Sequence, residues 1–167
     1  SSKGDWVVFE SHRLDVETNG VITKCRVDGS SPYLALTSAG DDCRQPNWAP
    51  DDSAIIYQRL SGGRWDLWCM STNGSAHWPI TSGAGDKTDA SFAPDSRRVV
   101  FSSDQGALAS ANLFCLGVTG GTPARVTFSS GYDGAPSWSP DGRQIIFESC
   151  TAADPETAAG TAIWIVS

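Results

Sequence analysis

PSWSPDGRQIIFES, residues Pro136–Ser149, decides the fold, because the chain contains this phrase three times. It stands upstream as SFAPDSRRVVFSS (Ser91–Ser103) and, before that, as NWAPDDSAIIYQR (Asn47–Arg59). The aromatic anchors Trp48, Phe92 and Trp138 are spaced by 44 residues (48 to 92) and 46 (92 to 138). Two further landmarks keep the same beat. A two-residue turn recurs at Asp28-Gly29, Asn73-Gly74 and Gly120-Gly121, and an apolar residue followed by threonine recurs at Leu36-Thr37, Ile80-Thr81 and Val126-Thr127. Three landmarks repeating in register at a period in the forties define a repeat architecture.

Each full repeat reads as four short strands. The first carries the aromatic (PNWA, ASFA, PSWS) and ends in a Pro-Asp turn, where Pro pre-sets φ and Asp bonds its own backbone. The second is β-branched and aromatic (AIIYQ, RVVFS, QIIFE). A longer loop leads to the third (DLWCMS, NLFCLG). A tight Asn-Gly or Gly-Gly turn, whose residues accept positive φ, leads to the fourth (HWPIT, ARVT). No segment keeps a 3.6-residue apolar period over ten residues, so no helix is expected. Four antiparallel strands per roughly 45 residues is the blade of a β-propeller. Second strands such as Val99-Val100-Phe101 are apolar on both faces, as a sheet covered on both sides by neighbouring blades requires. The expected fold is all-β, with about four blades over approximately 5–44, 45–88, 89–134 and 135–167.

Composition narrows the function. The 167 residues amount to one domain, and 40% apolar content is enough for a core. Twelve basic against nineteen acidic residues leave a net charge of −7 with no Lys/Arg run, which argues against nucleic acid as a partner. No apolar run approaches the roughly 20 residues that span a bilayer, so no membrane insertion is expected. The sequence does not begin with Met and reads as a processed chain or an excised piece. The five cysteines form no CxxC pair. Cys69 and Cys115 share a repeat position and read as small buried hydrophobes, Cys25 falls one position later, and a Cys43–Cys150 disulfide is an open alternative to free thiols.

At this point WAPDDSAIIY, FAPDSRRVVF and WSPDGRQIIF, together with DLWCMSTNG and NLFCLGVTGG, carry a resemblance to the W-S-P-D-G-x-x-I-x-F repeat of TolB-like, WD-repeat-like β-propellers. The resemblance extends from GDWVVFES to TAIWIVS. It implies six blades, more than this chain supplies. The first repeat lacks its first strand and the last lacks its fourth, giving three, four, four and three strands. A piece of a longer propeller, self-association with a partner chain and a closed four-blade ring are the alternatives. Blade four, with Ile145, Ile146, Phe147, Ile163, Trp164 and Ile165, is expected to be covered on both faces, by blade one or by another chain.

No catalytic signature emerges. His12 and His77 sit in different repeat positions and read as surface residues, not as metal ligands. No G-x-S-x-G elbow occurs. Asp41, Asp42, Asp86, Asp89 and Asp133 cluster ahead of the first strands and read as turn formers and loop charges, with a general acid/base pair as the alternative. No catalytic residue, metal or cofactor is assigned. Trp48, Trp68, Trp138 and Trp164 are expected in the core, and Arg64 with Trp65 form a possible surface hot spot. Because the starts of first strands approach a propeller's central channel, Arg44, Asn47, Asp89, Ser91 and Ser137 are the channel-side ligand-binding candidates. The expected function is that of a non-catalytic protein-interaction or scaffold propeller with a protein or peptide partner. The resemblance implies a periplasmic or secreted setting. The alternatives are the gating propeller of a prolyl-oligopeptidase-like hydrolase and a carbohydrate-active propeller using Asp89 and Asp133.

Overall fold

The computed structural model describes residues 1–12, 19–106, 110–152 and 160–167, and the described residues form fourteen strands and no helix. The first sheet contains β1 (Trp6–Ser11), β2 (Val21–Arg26) and β3 (Leu34–Ala35). The second contains β4 (Cys43–Trp48), β5 (Ala54–Ser61), β6 (Arg64–Ser71) and β7 (His77–Pro79). The third contains β8 (Lys87–Phe92), β9 (Arg98–Ser103), β10 (Asn112–Gly117) and β11 (Ala124–Arg125). The fourth contains β12 (Tyr132–Trp138), β13 (Ile145–Cys150) and β14 (Ala162–Val166). Each sheet is an antiparallel meander in chain order. The expected tally of three, four, four and three strands is met. The first strands begin earlier than the sequence implied, so the expected limits at 45, 89 and 135 fall inside β4, β8 and β12.

The sheets are blades stacked face to face. Side chains alternate across a pleated strand, and in β5 Ile55 and Tyr57 pack toward blade one with Ile22 and Leu36, while Ile56 packs toward blade three with Phe92, Val99 and Phe101. Val100 of β9 in turn packs with Ile145 and Phe147 of blade four. This two-sided cover explains why the second strands do not alternate in polarity. Successive first strands touch, β4 with β8 and β8 with β12, and β1 touches β4, whereas the fourth strands β3, β7 and β11 make no comparable contact with one another. The blades therefore radiate from an axis beside the first strands.

Among the described residues the arc is open: nothing of comparable extent joins blade one to blade four. This overturns the closed four-blade ring and, within this chain, the expected cover of blade four. On the face toward blade three the β13 side chains Ile145 and Phe147 are buried, 5% and 7% exposed, but on the opposite face Ile146, Ile163 and Ile165 are 44%, 64% and 61% exposed. Trp164, expected in the core, is 58% exposed: it stands opposite Phe147 on the side toward blade three, and among the described residues no fourth strand lies beside β14. The Cys43–Cys150 disulfide is absent. All five thiols are free, and these two sit in blades two and four. Burial pushes the Cys43 and Cys69 thiols up, to about 11 and about 12, so both are inert packing groups.

Candidate functional site

Each first strand carries a bulge at the same place. The β4–β5 register shifts between Arg44 and Asn47, the β8–β9 register between Thr88 and Ser91, and the β12–β13 register between Gly134 and Ser137. Within each shift one residue is left-handed: Gln45 at φ 50°, Asp89 at 55° and Ala135 at 46°. None is glycine, so the chain holds three side chains in a region L-residues disfavour. Bulges recur at rims and next to functional sites, where they re-aim side chains. Pro46 and Pro136 follow two of these residues, and a proline that cannot donate a ladder bond is tolerated at a bulge.

The bulges are wired from blade to blade. The Gln45 amide donates to Glu10 Oε2 at 3.2 Å, and the Asp89 amide donates to Gln45 Oε1 at 3.2 Å. The Tyr132 hydroxyl then donates to Asp89 Oδ2 at 3.3 Å. Each rim side chain thus accepts from the next blade. Burial and the adjacent Asp89 charge raise the Tyr132 phenol to about 12, keeping it a donor. Gly134 is needed here, because a Cβ at that position would overlap the Tyr132 ring. At the blade-one end Glu10 also pairs with His12 Nε2 at 2.8 Å.

The five candidate residues lie on three neighbouring first strands. Asn47, Ser91 and Ser137 occupy one equivalent rung, opposite Ile56, Val100 and Ile146, immediately past each bulge. Asn47 and Ser137 are exposed and Ser91 is half-buried. Arg44 precedes the first bulge. Its guanidinium donates twice to Asp42 at 2.9 Å and lies 5.2 Å from the centre of the Trp65 ring. The cation over Trp65 is therefore Arg44. Arg64 stands exposed at the start of β6.

The other acidic residues are structural. Asp42 Oδ1 accepts from the Gly20 amide at 2.8 Å and Asp86 Oδ1 from the Trp65 amide at 2.8 Å, so each fastens a first strand to the preceding blade. Burial alone would raise Asp42, but the hydrogen bonds from Arg44 and Gly20 outweigh it and hold the carboxyl below its ordinary value. Asp41 pairs with Arg59 at 2.6 Å. Asp133 is 1% exposed and accepts from Ser129 at 2.9 Å and Ser149 at 2.7 Å. His77 Nδ1 lies 3.0 Å from the Tyr57 hydroxyl and its Nε2 lies 3.0 Å from the Gly74 carbonyl. Among the described residues no three His, Cys, Asp or Glu converge as metal ligands would. Sequence reasoning missed Glu10, Gln45 and Tyr132. The available signal was positional: Gln45, Asp89 and Ala135 each stand three residues before an anchor aromatic.

Comparison with known proteins agrees with this geometry. The sequence profile of the TolB beta propeller domain matches residues 5–158. Putative TolB from Agrobacterium tumefaciens superposes with a TM-score of 0.82 at 19% identity, over 98% of this chain and 57% of that one. TolB from Acinetobacter baumannii gives 0.79 at 19%, over 99% and 39% respectively. A puromycin hydrolase gives 0.74 at 17%, over 99% of this chain and 26% of the other. No curated protein matches the sequence. The chain thus spans little more than half of one TolB structure and less than half of the other. With the profile covering nearly the whole sequence, the chain belongs to the TolB beta propeller domain family.

Proposed function

We propose that this chain is a non-catalytic protein-interaction segment of a propeller, whose protein or peptide partner docks on the rim formed by Arg44, Asn47, Asp89, Ser91 and Ser137. The observation that carries the reading is the hydrogen-bonded row of bulges. It fixes donors and acceptors on three adjacent blades before any partner arrives, which reduces the ordering cost of binding. Arg44 supplies a cation oriented by Asp42 and resting on Trp65. Asp89 supplies an anion, and Asn47 and Ser137 supply exposed polar groups. Trp65, with exposed Arg64 beside it, flanks the rim as an anchor of the kind that dominates protein interfaces. The four sheets β1–β3, β4–β7, β8–β11 and β12–β14, close to the expected 5–44, 45–88, 89–134 and 135–167 but with limits moved to the starts of β4, β8 and β12, form the units of this scaffold. Kinship with TolB supports a periplasmic or extracellular setting.

A second reading is the propeller portion of a peptidase. It rests on the superposition with the puromycin hydrolase, and the rim would then guard a catalytic domain elsewhere in the protein. Substitution separates the two. Arg44→Ala and Asp89→Ala should each weaken capture of the partner from the native cell envelope about tenfold, while Trp78→Ala on the outer strand β7 leaves it unchanged. Capture that is insensitive to both rim substitutions, alongside peptide hydrolysis by the full-length protein, would favour the peptidase.

A further inference from the structure

Lys87 and Asp133 hold the same position in successive blades and carry opposite charges. Lys87 stands opposite Ser103 and Asp133 opposite Ser149, each four residues before the shared rung of Ser91 and Ser137. Both side chains are buried, at 0% and 1% exposure. The Lys87 ammonium lies 3.0 Å from Asp66 Oδ1 and donates to the Gly83 carbonyl at 3.0 Å. The interface of blades two and three therefore contains both its cation and its anion.

The interface of blades three and four holds only half of this arrangement. The residue equivalent to Asp66 is the neutral Asn112: each immediately precedes the leucine whose amide donates to the repeated threonine, Leu67 to Thr81 and Leu113 to Thr127. Asn112 is fully engaged, with Nδ2 donating to the Ser129 carbonyl at 3.3 Å and Oδ1 accepting from Arg125 at 2.9 Å. The carboxylate stands instead on β12, as Asp133, and its side-chain partners are the uncharged hydroxyls of Ser129 at 2.9 Å and Ser149 at 2.7 Å. Among the described residues no Lys, Arg or His forms an ion pair with it. The neighbouring Arg125 is bonded to Asn112 and to the Thr127 carbonyl, with its guanidinium 4.8 Å from the centre of the Phe128 ring. A buried carboxylate is costly without a cation. Asp133 is also shorter than Lys87, and beside it lies a cleft of about 360 Å³ walled by Phe128, Phe147 and Trp164.

We propose that this cleft binds a primary ammonium group carried on an apolar stem, with the ammonium on the Asp133 carboxylate and the stem between the aromatic rings. The ligand supplies the charge that Lys87 supplies one interface earlier, so the chemistry of the occupant is read from an example in the same chain. Aromatic faces attract a cation, and the cleft has the size of a small-ligand pocket, roughly 300–1,000 Å³, with polar groups at one side. The site is separate from the rim and does not depend on what binds there.

The test is a titration of the isotopically labelled protein followed by amide NMR. The probes are 2-phenylethylamine, a free amine, and Nα-acetyl-lysine amide, which presents a lysine side chain as a protein would. Saturable shifts should centre on residues 126–133 and 147–149, and the tighter-binding probe identifies which source of ammonium the cleft suits. 2-Phenylethanol keeps the ring and loses the charge, and it should bind at least about tenfold more weakly, as should the amine to Asp133→Asn, the scale of a charge-assisted hydrogen bond. The double variant Asp133→Lys with Asn112→Asp rebuilds the Lys87–Asp66 pair inside the cleft. It should keep the parent's amide shifts in blades one and two and bind neither amine. Absence of saturable shifts with both amines, equal binding of 2-phenylethanol, or undiminished amine binding by the folded double variant would each overturn the proposal.

Discussion

Lys87 is fully buried at the start of β8, with its ammonium 3.0 Å from Asp66 Oδ1 and donating to the Gly83 carbonyl at 3.0 Å. Asp66 in turn accepts from Thr81, whose oxygen takes the Leu67 amide. One ion pair therefore ties blade three to the Thr81–Leu67 hydrogen bond of blade two. Removing one partner of a buried pair leaves the other uncompensated, so Lys87→Ala should cost about 3–5 kcal/mol in urea unfolding. The double variant Lys87→Met with Asp66→Leu should recover most of that loss. A second residue-scale prediction concerns acid. Asp51 and Asp95 are held below their ordinary value, Asp51 chiefly by its bonds from Ser53 and Asp95 chiefly by the Arg97 amide, and Asp42 is held low as well. A depressed carboxyl contributes its full stability above the unfolded value of about 3.9 and loses it as pH falls through the folded one. These groups should leave the urea midpoint unchanged between pH 7 and 5 and lower it progressively below about pH 4. Asp95→Asn should shrink that fall, and a midpoint that rises on acidification would contradict the assignment.

Among the elements, the Pro-Asp turn and the first-strand bulge both require a left-handed residue in every repeat, but only one of them could be read from sequence. In the turn the left-handed position is Asp52, Ser96 or Gly142, and the third copy uses the residue that accepts positive φ without cost. In the bulge it is Gln45, Asp89 or Ala135, and no copy uses glycine. The runs of β-branched and aromatic residues and the turn signals therefore gave the strands. The bulge, set by tertiary wiring between blades, left only a position three residues ahead of the aromatic. The early starts of β4, β8 and β12 have the same origin, because the residues before each bulge pair with the second strand in a separate register. Ala135 contributes no side-chain bond to the wiring, so Ala135→Gly should relieve backbone strain and stabilise the chain by about 0.5–1 kcal/mol. Gln45→Gly removes the acceptor of the Asp89 amide and should show no such gain. Equal stabilisation by both, measured by thermal unfolding, would mean that the wiring contributes nothing.

The described residues form an arc in which each blade hides the next one's apolar face, and the outer face of the fourth blade is exposed. Ile56 and Val100 are fully buried against the following blade, while their equivalent Ile146 is 44% exposed. Covering one such side chain is worth roughly 1.5–3 kcal/mol. The stacking was legible because apolar runs such as Ile145-Ile146-Phe147 leave no wet face. How far round the axis four blades reach was not, because that depends on wedge angles no residue pattern reports. The same radial geometry brings Arg44, Asn47, Asp89, Ser91 and Ser137 onto neighbouring first strands, where the proposed protein partner would meet the molecule. The most direct test is site-specific photocrosslinking in the native host, with a photoreactive residue placed singly at Asn47, Ser91 or Ser137 and, as the outer-strand control, at Trp78. Adducts to one common protein should form from the three rim positions, and none of that adduct from position 78. Adducts from position 78 alone, or none from any rim position, would contradict it.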